Sequence, residues 1–181
     1  MALFATTPFG ILAGAAFTAV LLFAAIGDVR SRRIPNQLVL VLAVLGIIYS
    51  AVTRGPLWGS LRAIEGIVVG MGLWIPFYAL GWLGAGDVKL VGAAGAWLGP
   101  METIEGSFIA ALLGALLALL WMLRSRGLKH AVETLGVATT MPSVLAETSP
   151  KISDRRRSLP YSVPLVVGAL CAAWLPGLLF G

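Results

Sequence analysis

The sequence predicts an all-α integral membrane protein, a bundle of six transmembrane helices with a cytoplasmic loop between the fifth and sixth. Of its 181 residues, 59% are hydrophobic and only 12% are charged, whereas a soluble domain is about a quarter charged. So few polar side chains cannot cover a folded surface in water, which indicates that lipid surrounds the chain. We expect a single membrane-embedded domain over residues 1–181.

Six apolar runs separated by charged segments predict the helices. A helix that crosses a bilayer needs about 20 residues at about 1.5 Å rise per residue. Five runs approach or reach that length, but the fourth is free of charge only over 90–101. To cross, it must extend towards Asp87 and Ile104; a buried re-entrant segment is the alternative. The expected spans are 10–27, 37–53, 64–83, 87–104, 106–123 and 160–180, with the loop at 124–159.

The distribution of basic residues predicts the orientation of these spans. The segments after the first, third and fifth spans contain eleven lysines and arginines. The segments after the second and fourth spans together contain only two, Arg54 and Arg62. Short loops rich in Lys and Arg stay in the cytoplasm. We therefore expect a multi-pass protein of the cytoplasmic (inner) membrane with both termini outside the cytoplasm. The first run lacks a preceding basic segment and a cleavage-like site, so it is expected to be retained.

Several function classes are disfavoured by composition. The net charge of +5 comes from loop residues that orient a membrane protein, so no nucleic-acid partner is expected. One cysteine, Cys171, permits neither an internal disulfide nor a cysteine-based zinc site. His130 stands alone without a ligand motif. Neither a metal nor a cofactor is expected.

Two aspartates lie at the edges of apolar runs. Asp28 is part of GDVR at 27–30, and Asp87 is part of GAGDVKL at 84–90. The predicted orientation puts both at the cytoplasmic face, where a carboxylate in a bundle is costly and marks a candidate site. Two adjacent carboxylates cannot both ionise easily, so one acid and one carboxylate would coexist, as water-activating aspartic proteases require.

Simpler roles for these residues remain open. Each aspartate could form a salt bridge with Arg30 or Lys89, or Asp87 could stabilise a helix start. An ion or proton-coupled transporter using Asp28 and Asp87 is a second functional alternative. Gly84 and Gly86 are expected to allow unusual backbone angles and close approach of a substrate chain.

Three segments together resemble the type IV prepilin peptidases: GDVRSRRIPN at 27–36, GAGDVKL at 84–90 and LPYSVP at 159–164. The second contains the GxGD motif of membrane aspartic proteases. The resemblance implies that Asp28 and Asp87 are catalytic and that Gly84, Gly86 and Lys89 support the motif. It also implies a prepilin-like membrane substrate, whose basic leader is cleaved at the cytoplasmic membrane face.

The resemblance also has departures. Larger bifunctional family members carry an N-terminal domain, often with four cysteines, and methylate the new N-terminus. This sequence begins directly at the first span, so no methyltransferase domain is expected. It resembles the short, peptidase-only form of tight-adherence (Flp-type) pilus systems. Archaeal preflagellin peptidases share the core pattern and stay an alternative.

Overall fold

A computed structural model describes residues 4, 7–31, 34–140, 162–175 and 177, with the backbone alone for 121–140. These ranges contain six helices and no strand, which confirms the predicted all-α class. Their bounds are α1 (Pro8–Ser31), α2 (Asn36–Arg54), α3 (Pro56–Ala79), α4 (Ala85–Leu98), α5 (Pro100–Thr140) and α6 (Ser162–Trp174).

Four segments are long and apolar enough to cross a membrane: α1 to Arg30, all of α2, all of α3, and α5 up to Leu120. α6, with 13 residues, is a shorter apolar helix. α4 has 14 residues and rises about 21 Å, which is less than the hydrocarbon core of a bilayer. The number of membrane crossings, six, therefore stays a prediction.

The fourth segment differs from its expected bounds of 87–104. α4 begins two residues earlier, at Ala85, and ends at Leu98. Gly99 has φ +89°, which favours glycine, and Pro100 opens α5 with a fixed φ suited to a first helical turn. Residues 100–104 thus belong to α5, because the chain reverses at this Gly-Pro pair.

The fifth segment is also longer than expected. α5 starts at Pro100 and continues as one helix to Thr140, so the first part of the expected loop at 124–159 is helical. Residues 141–161 lie outside the described ranges. α6 begins at Ser162, close to the start of the expected sixth span at 160–180.

α4 is the central helix of the bundle. Ten of its 14 residues are buried: Val88 and all of 90–98. Gly66 on α3 and Gly95 on α4 let these two backbones approach closely, because a Cβ on either glycine would overlap the carbonyl of the other. Small residues at such crossings are what brings helices together in lipid. This central position makes the start of α4 a fixed point.

The end of α3 aims the chain into α4. Gly81 has φ +75°, its N–H donates to Tyr78 O at 2.9 Å, and Trp82 N–H donates to Phe77 O at 3.0 Å. These two bonds form a Schellman motif, which satisfies the last carbonyls of a helix and turns the chain. Residues 84–87 follow this turn directly.

The helices alternate in direction, so the bundle has two distinct ends. We call the end where α1 finishes and α4 and α6 begin the aspartate end. The opposite end holds an aromatic cluster of Phe4, Phe17, Tyr49, Trp97 and Trp174. The Phe4 and Trp174 ring centroids are 6.0 Å apart, so these residues from the first and last parts of the chain share one end.

Candidate active site

Asp28 and Asp87 lie at the same end of the bundle. Asp28 is in the last turn of α1, inside the membrane-length segment that ends at Arg30, and Asp87 is in the first turn of α4, which is not one of the four such segments. Both side chains are half-buried. The negative charge of Asp28 acts on the Asp87 carboxyl, so the fold brings together two residues 59 positions apart in sequence.

The Asp87 carboxyl is held on one side only. Its Oδ2 accepts a hydrogen bond of 3.2 Å from the N–H of Gly84, the residue that caps α4. This is the carboxylate half of a capping box, which satisfies an otherwise orphaned backbone donor. Its Oδ1 is buried and has no hydrogen-bond partner among the described residues. The helix-start role considered for Asp87 is therefore present, and it uses one of the two oxygens.

Asp87 is unusually ready to hold a proton. Burial of the carboxyl, together with the negative charge of Asp28, raises the pKa of Asp87 from 3.8 to about 6, against the opposing hydrogen bond from Gly84. Desolvation and a like charge both disfavour the ionised form. Near neutral pH the site can thus contain a protonated Asp87.

The salt bridges considered for the two aspartates do not form. Within the described ranges, neither Asp28 nor Asp87 pairs with Arg30 or Lys89, and the ion pair found there joins Arg62 to Glu102. Lys89 instead donates from Nζ to Asn36 Oδ1 at 3.3 Å. This bond connects the start of α4 to the start of α2, so it brings the GAGDVKL and RIPN segments together.

Gly84 and Gly86 do not adopt the unusual backbone angles that were expected of them. Gly84 has φ −79° and ψ 150°, an extended conformation open to any residue, and Gly86 lies within α4. The expected unusual backbone angles are therefore wrong, and the positive φ of this turn is at Gly81. A Cβ on Gly84 would lie 3.3 Å from Asp87 Oδ2. Glycine at 84 thus keeps space beside the carboxylate.

Ser162 is a site residue that sequence reasoning did not single out. It is fully buried at the first position of α6, and its Oγ donates a 2.6 Å hydrogen bond to Asp28 Oδ2. The segment LPYSVP contains it, but there it marks only the entry to an apolar helix. A polar residue at the start of that helix, on the side where both aspartates lie, was the available signal.

The site contains carboxylates and hydroxyls but no ligand cluster. Among the residues described, no three His, Cys, Asp or Glu side chains lie close enough to hold a metal ion. The described part of the site brings together the Asp28 and Asp87 carboxyls and the hydrogen bonds to Asp28 from Ser162 and to Asp87 from Gly84. Such a pair can take a proton from water and deliver one to a carbonyl oxygen.

Fold and site together define a multi-pass membrane protein with an aspartate pair at one end of its bundle. The sequence model of the type IV leader peptidase family matches residues 15–119, which include both aspartates. This match covers more than half of the chain, so the chain belongs to the type IV leader peptidase family.

A curated relative agrees with this assignment. The prepilin leader peptidase/N-methyltransferase of Pectobacterium carotovorum subsp. carotovorum is 31% identical over 113 residues. The alignment covers 56% of this chain and 37% of that protein. No solved structure matches the chain significantly.

Proposed function

We propose that the protein is an aspartic endopeptidase that removes the basic leader from prepilin-like membrane precursors. The observation that carries the proposal is the coupling of Asp28 and Asp87 at one end of the bundle, where no cation of the described residues pairs with either. Membership of the type IV leader peptidase family supports the substrate class. The location of both carboxyls at helix ends also favours a peptidase over an ion carrier, whose sites lie near mid-membrane.

The environments of the two carboxyls suggest different roles. Asp87, with its pKa raised to about 6, is the group that enters the reaction protonated. Asp28 accepts the Ser162 hydrogen bond at Oδ2 and enters as the carboxylate. A carboxyl that is favoured in its protonated form suits the general acid, and its partner then acts as the general base.

The reaction then follows in two steps. In the first, a water oxygen attacks the scissile carbonyl carbon, Asp28 takes a proton from that water, and Asp87 gives its proton to the carbonyl oxygen. In the second, the carbon–nitrogen bond of the tetrahedral diol breaks. Asp28 passes its proton to the amide nitrogen, and Asp87 recovers one from a diol hydroxyl. Both residues return to their starting states.

The site is proposed to face the cytoplasm from the inner membrane. Arg30 and Lys89 lie at the aspartate end, and the strongly basic segment 124–157, which begins within α5, is on the same side in the predicted topology. A precursor would place its apolar helix beside the bundle and its leader across the start of α4.

The test is co-expression with an Flp-type prepilin, with cleavage followed by the change in mass of the precursor. Asp28→Asn and Asp87→Asn keep the side-chain shape but remove the titratable group, and each should lower the cleavage rate at least about 10³-fold. Asp154→Asn is the matched control, because Asp154 is the third and last aspartate of the chain. Normal processing by either of the first two variants would contradict the proposal.

The choice of precursor sharpens the substrate class. The same assay with an archaeal preflagellin separates the two classes of leader. Cleavage of the preflagellin but not of the prepilin would move the assignment to the alternative within the same chemistry. We expect the prepilin to be cleaved.

A further inference from the structure

Ser162 makes a contact that a helix-start serine does not need. Its Oγ lies 2.6 Å from Asp28 Oδ2, a short distance typical of a hydroxyl that donates to a carboxylate. A serine hydroxyl can donate one hydrogen bond, and Ser162 donates it to Asp28. The side chain is fully buried, so water does not compete with this bond.

The contact joins helices that are distant in sequence. Asp28 ends α1 and Ser162 begins α6, 134 residues apart. The negative charge of Asp28 also acts on the Asp87 carboxyl of α4. Asp28 thus accepts a hydrogen bond from Ser162 on α6 and interacts electrostatically with Asp87 on α4.

We infer that Ser162 is a positioning residue for the proposed peptidase reaction, because it fixes the orientation of the Asp28 carboxylate towards the attacking water. This inference rests on the proposed function. With Oδ2 engaged by Ser162, the carboxylate cannot rotate freely about its χ2 bond, and Oδ1 is the oxygen left to accept the water proton. Ser162 acts through Asp28 and does not itself touch the scissile bond.

A loss of orientation has a defined kinetic effect. The general base must lie within hydrogen-bond reach of the water, and misplacement of a reacting group by about 1 Å costs roughly 100-fold in rate. Ser162 is fully buried and therefore offers no surface to which a substrate could bind. Removal of the hydroxyl should therefore lower kcat and leave KM unchanged.

The test compares Ser162→Ala with Ser107→Ala in purified full-length protein, using a prepilin-like peptide as substrate. Ser107 on α5 is also buried, and it accepts a hydrogen bond of 3.1 Å from Trp74 Nε1 away from the aspartates. Both variants lose one buried hydrogen bond. We expect Ser162→Ala to lower kcat about 10- to 100-fold at unchanged KM, and Ser107→Ala to leave kcat unchanged.

A second variant separates positioning from packing. Ser162→Thr keeps the hydroxyl and should restore kcat to within a few-fold of the parent value. Unchanged kcat in Ser162→Ala, or an equal loss in Ser107→Ala, would overturn the inference. The proposed function has its own control in the same assay: if Asp28→Asn and Asp87→Asn are inactive while Ser162→Ala is normal, only the role of Ser162 fails.

Discussion

The two ends of α4 carry charge in opposite ways. Beyond its last residue, Arg62 Nη2 lies 2.8 Å from both carboxylate oxygens of Glu102 and 3.1 Å from Leu98 O. At its first turn, Asp87 faces Asp28 with no cation paired to either among the described residues. One end is built as an ion pair that joins α3, α4 and α5, and the other as a pair of acids.

The difference between the two ends separates a carboxylate with a structural role from carboxyls with a proposed catalytic role. Burying an unpaired ion costs free energy, so a carboxylate with a purely structural role is usually paired with a cation. Glu102 is paired in this way with Arg62. Asp87 has a cation, Lys89, two residues away, yet Lys89 bonds to Asn36. Repulsion between two nearby carboxylates lowers the stability of the fold. The same proximity lets the two groups share a proton, which acid–base catalysis by a carboxyl pair requires.

The strongest way to break the comparison is to change each acid by one methylene. Asp87→Glu keeps the charge but moves the carboxyl, which should lower the cleavage rate at least about 100-fold because the reacting groups no longer align. The measurement is single-turnover cleavage of a prepilin substrate.

Glu102→Asp is the matched control at the other end of α4. It changes the side chain by the same one methylene and should leave the cleavage rate within a few-fold of the parent. Equal losses at both ends would show that the enzyme tolerates no change near α4, and the contrast between the ends would disappear.

Removal of the ion pair should affect stability and leave catalysis intact. Glu102→Gln leaves the Arg62 guanidinium without its anion. The Arg62 and Glu102 side chains are 29% and 20% exposed, so water screens part of their attraction. We expect the free energy of unfolding to fall by about 1–3 kcal/mol. Thermal unfolding in detergent measures this loss. A normal melting temperature with reduced activity per folded molecule would contradict the division between the two ends.

The rate of cleavage should depend on pH through Asp87. The general acid must be protonated, and the pKa of Asp87 is raised to about 6. Above that pH, kcat/KM should therefore fall by about tenfold per pH unit. A pH profile of kcat/KM checks this limb, and a rate that keeps rising to pH 8 would assign the acid role elsewhere.

Stability gives an independent check on the same group. Because the folded-state pKa of Asp87 lies above its ordinary value of 3.8, its stabilising contribution is fully present below that value and is lost as pH rises through about 6. The melting temperature should fall over this range. Asp87→Asn has no such group, so its melting temperature should fall less between pH 4 and pH 7.

The smallest effect is expected at the link between the two motifs. Lys89→Met keeps the apolar stem but removes the bond to Asn36 Oδ1, which joins exposed groups. We expect a loss of less than about 1 kcal/mol in unfolding free energy. Asn36→Ala should cost a similar amount, and the double variant no more than either, which a double-mutant cycle measures. Full additivity would show that the bond contributes nothing.

Much of the fold and part of the site could be predicted from sequence. Apolar runs bounded by charge indicate membrane helices, and a carboxylate at the edge of such a run stands out because few charges exist. Asp28 and Asp87 were visible for that reason. Whether the two would come together was not, since that depends on how α1 packs against α2 and α6, which in turn contact α4.

The remaining differences arise where local signals are weak. The break at the Gly99-Pro100 pair falls inside the expected span 87–104, and the structure places it there through the φ of +89° at Gly99. Unusual backbone angles were expected at Gly84 and Gly86, but the glycine of this turn with a positive φ is Gly81. Ser162 was hidden because its partner is 134 residues away, beyond any local pattern.

That separation has a consequence for biosynthesis. The contact between Asp28 and Ser162 joins α1 to α6, so a nascent chain that ends before residue 162 cannot form it. At about 5–20 residues per second, roughly 7–27 s of synthesis pass between the two residues. The ribosome thus delivers the Asp28 carboxylate well before its partner, and the finished site appears only when the final helix joins the bundle.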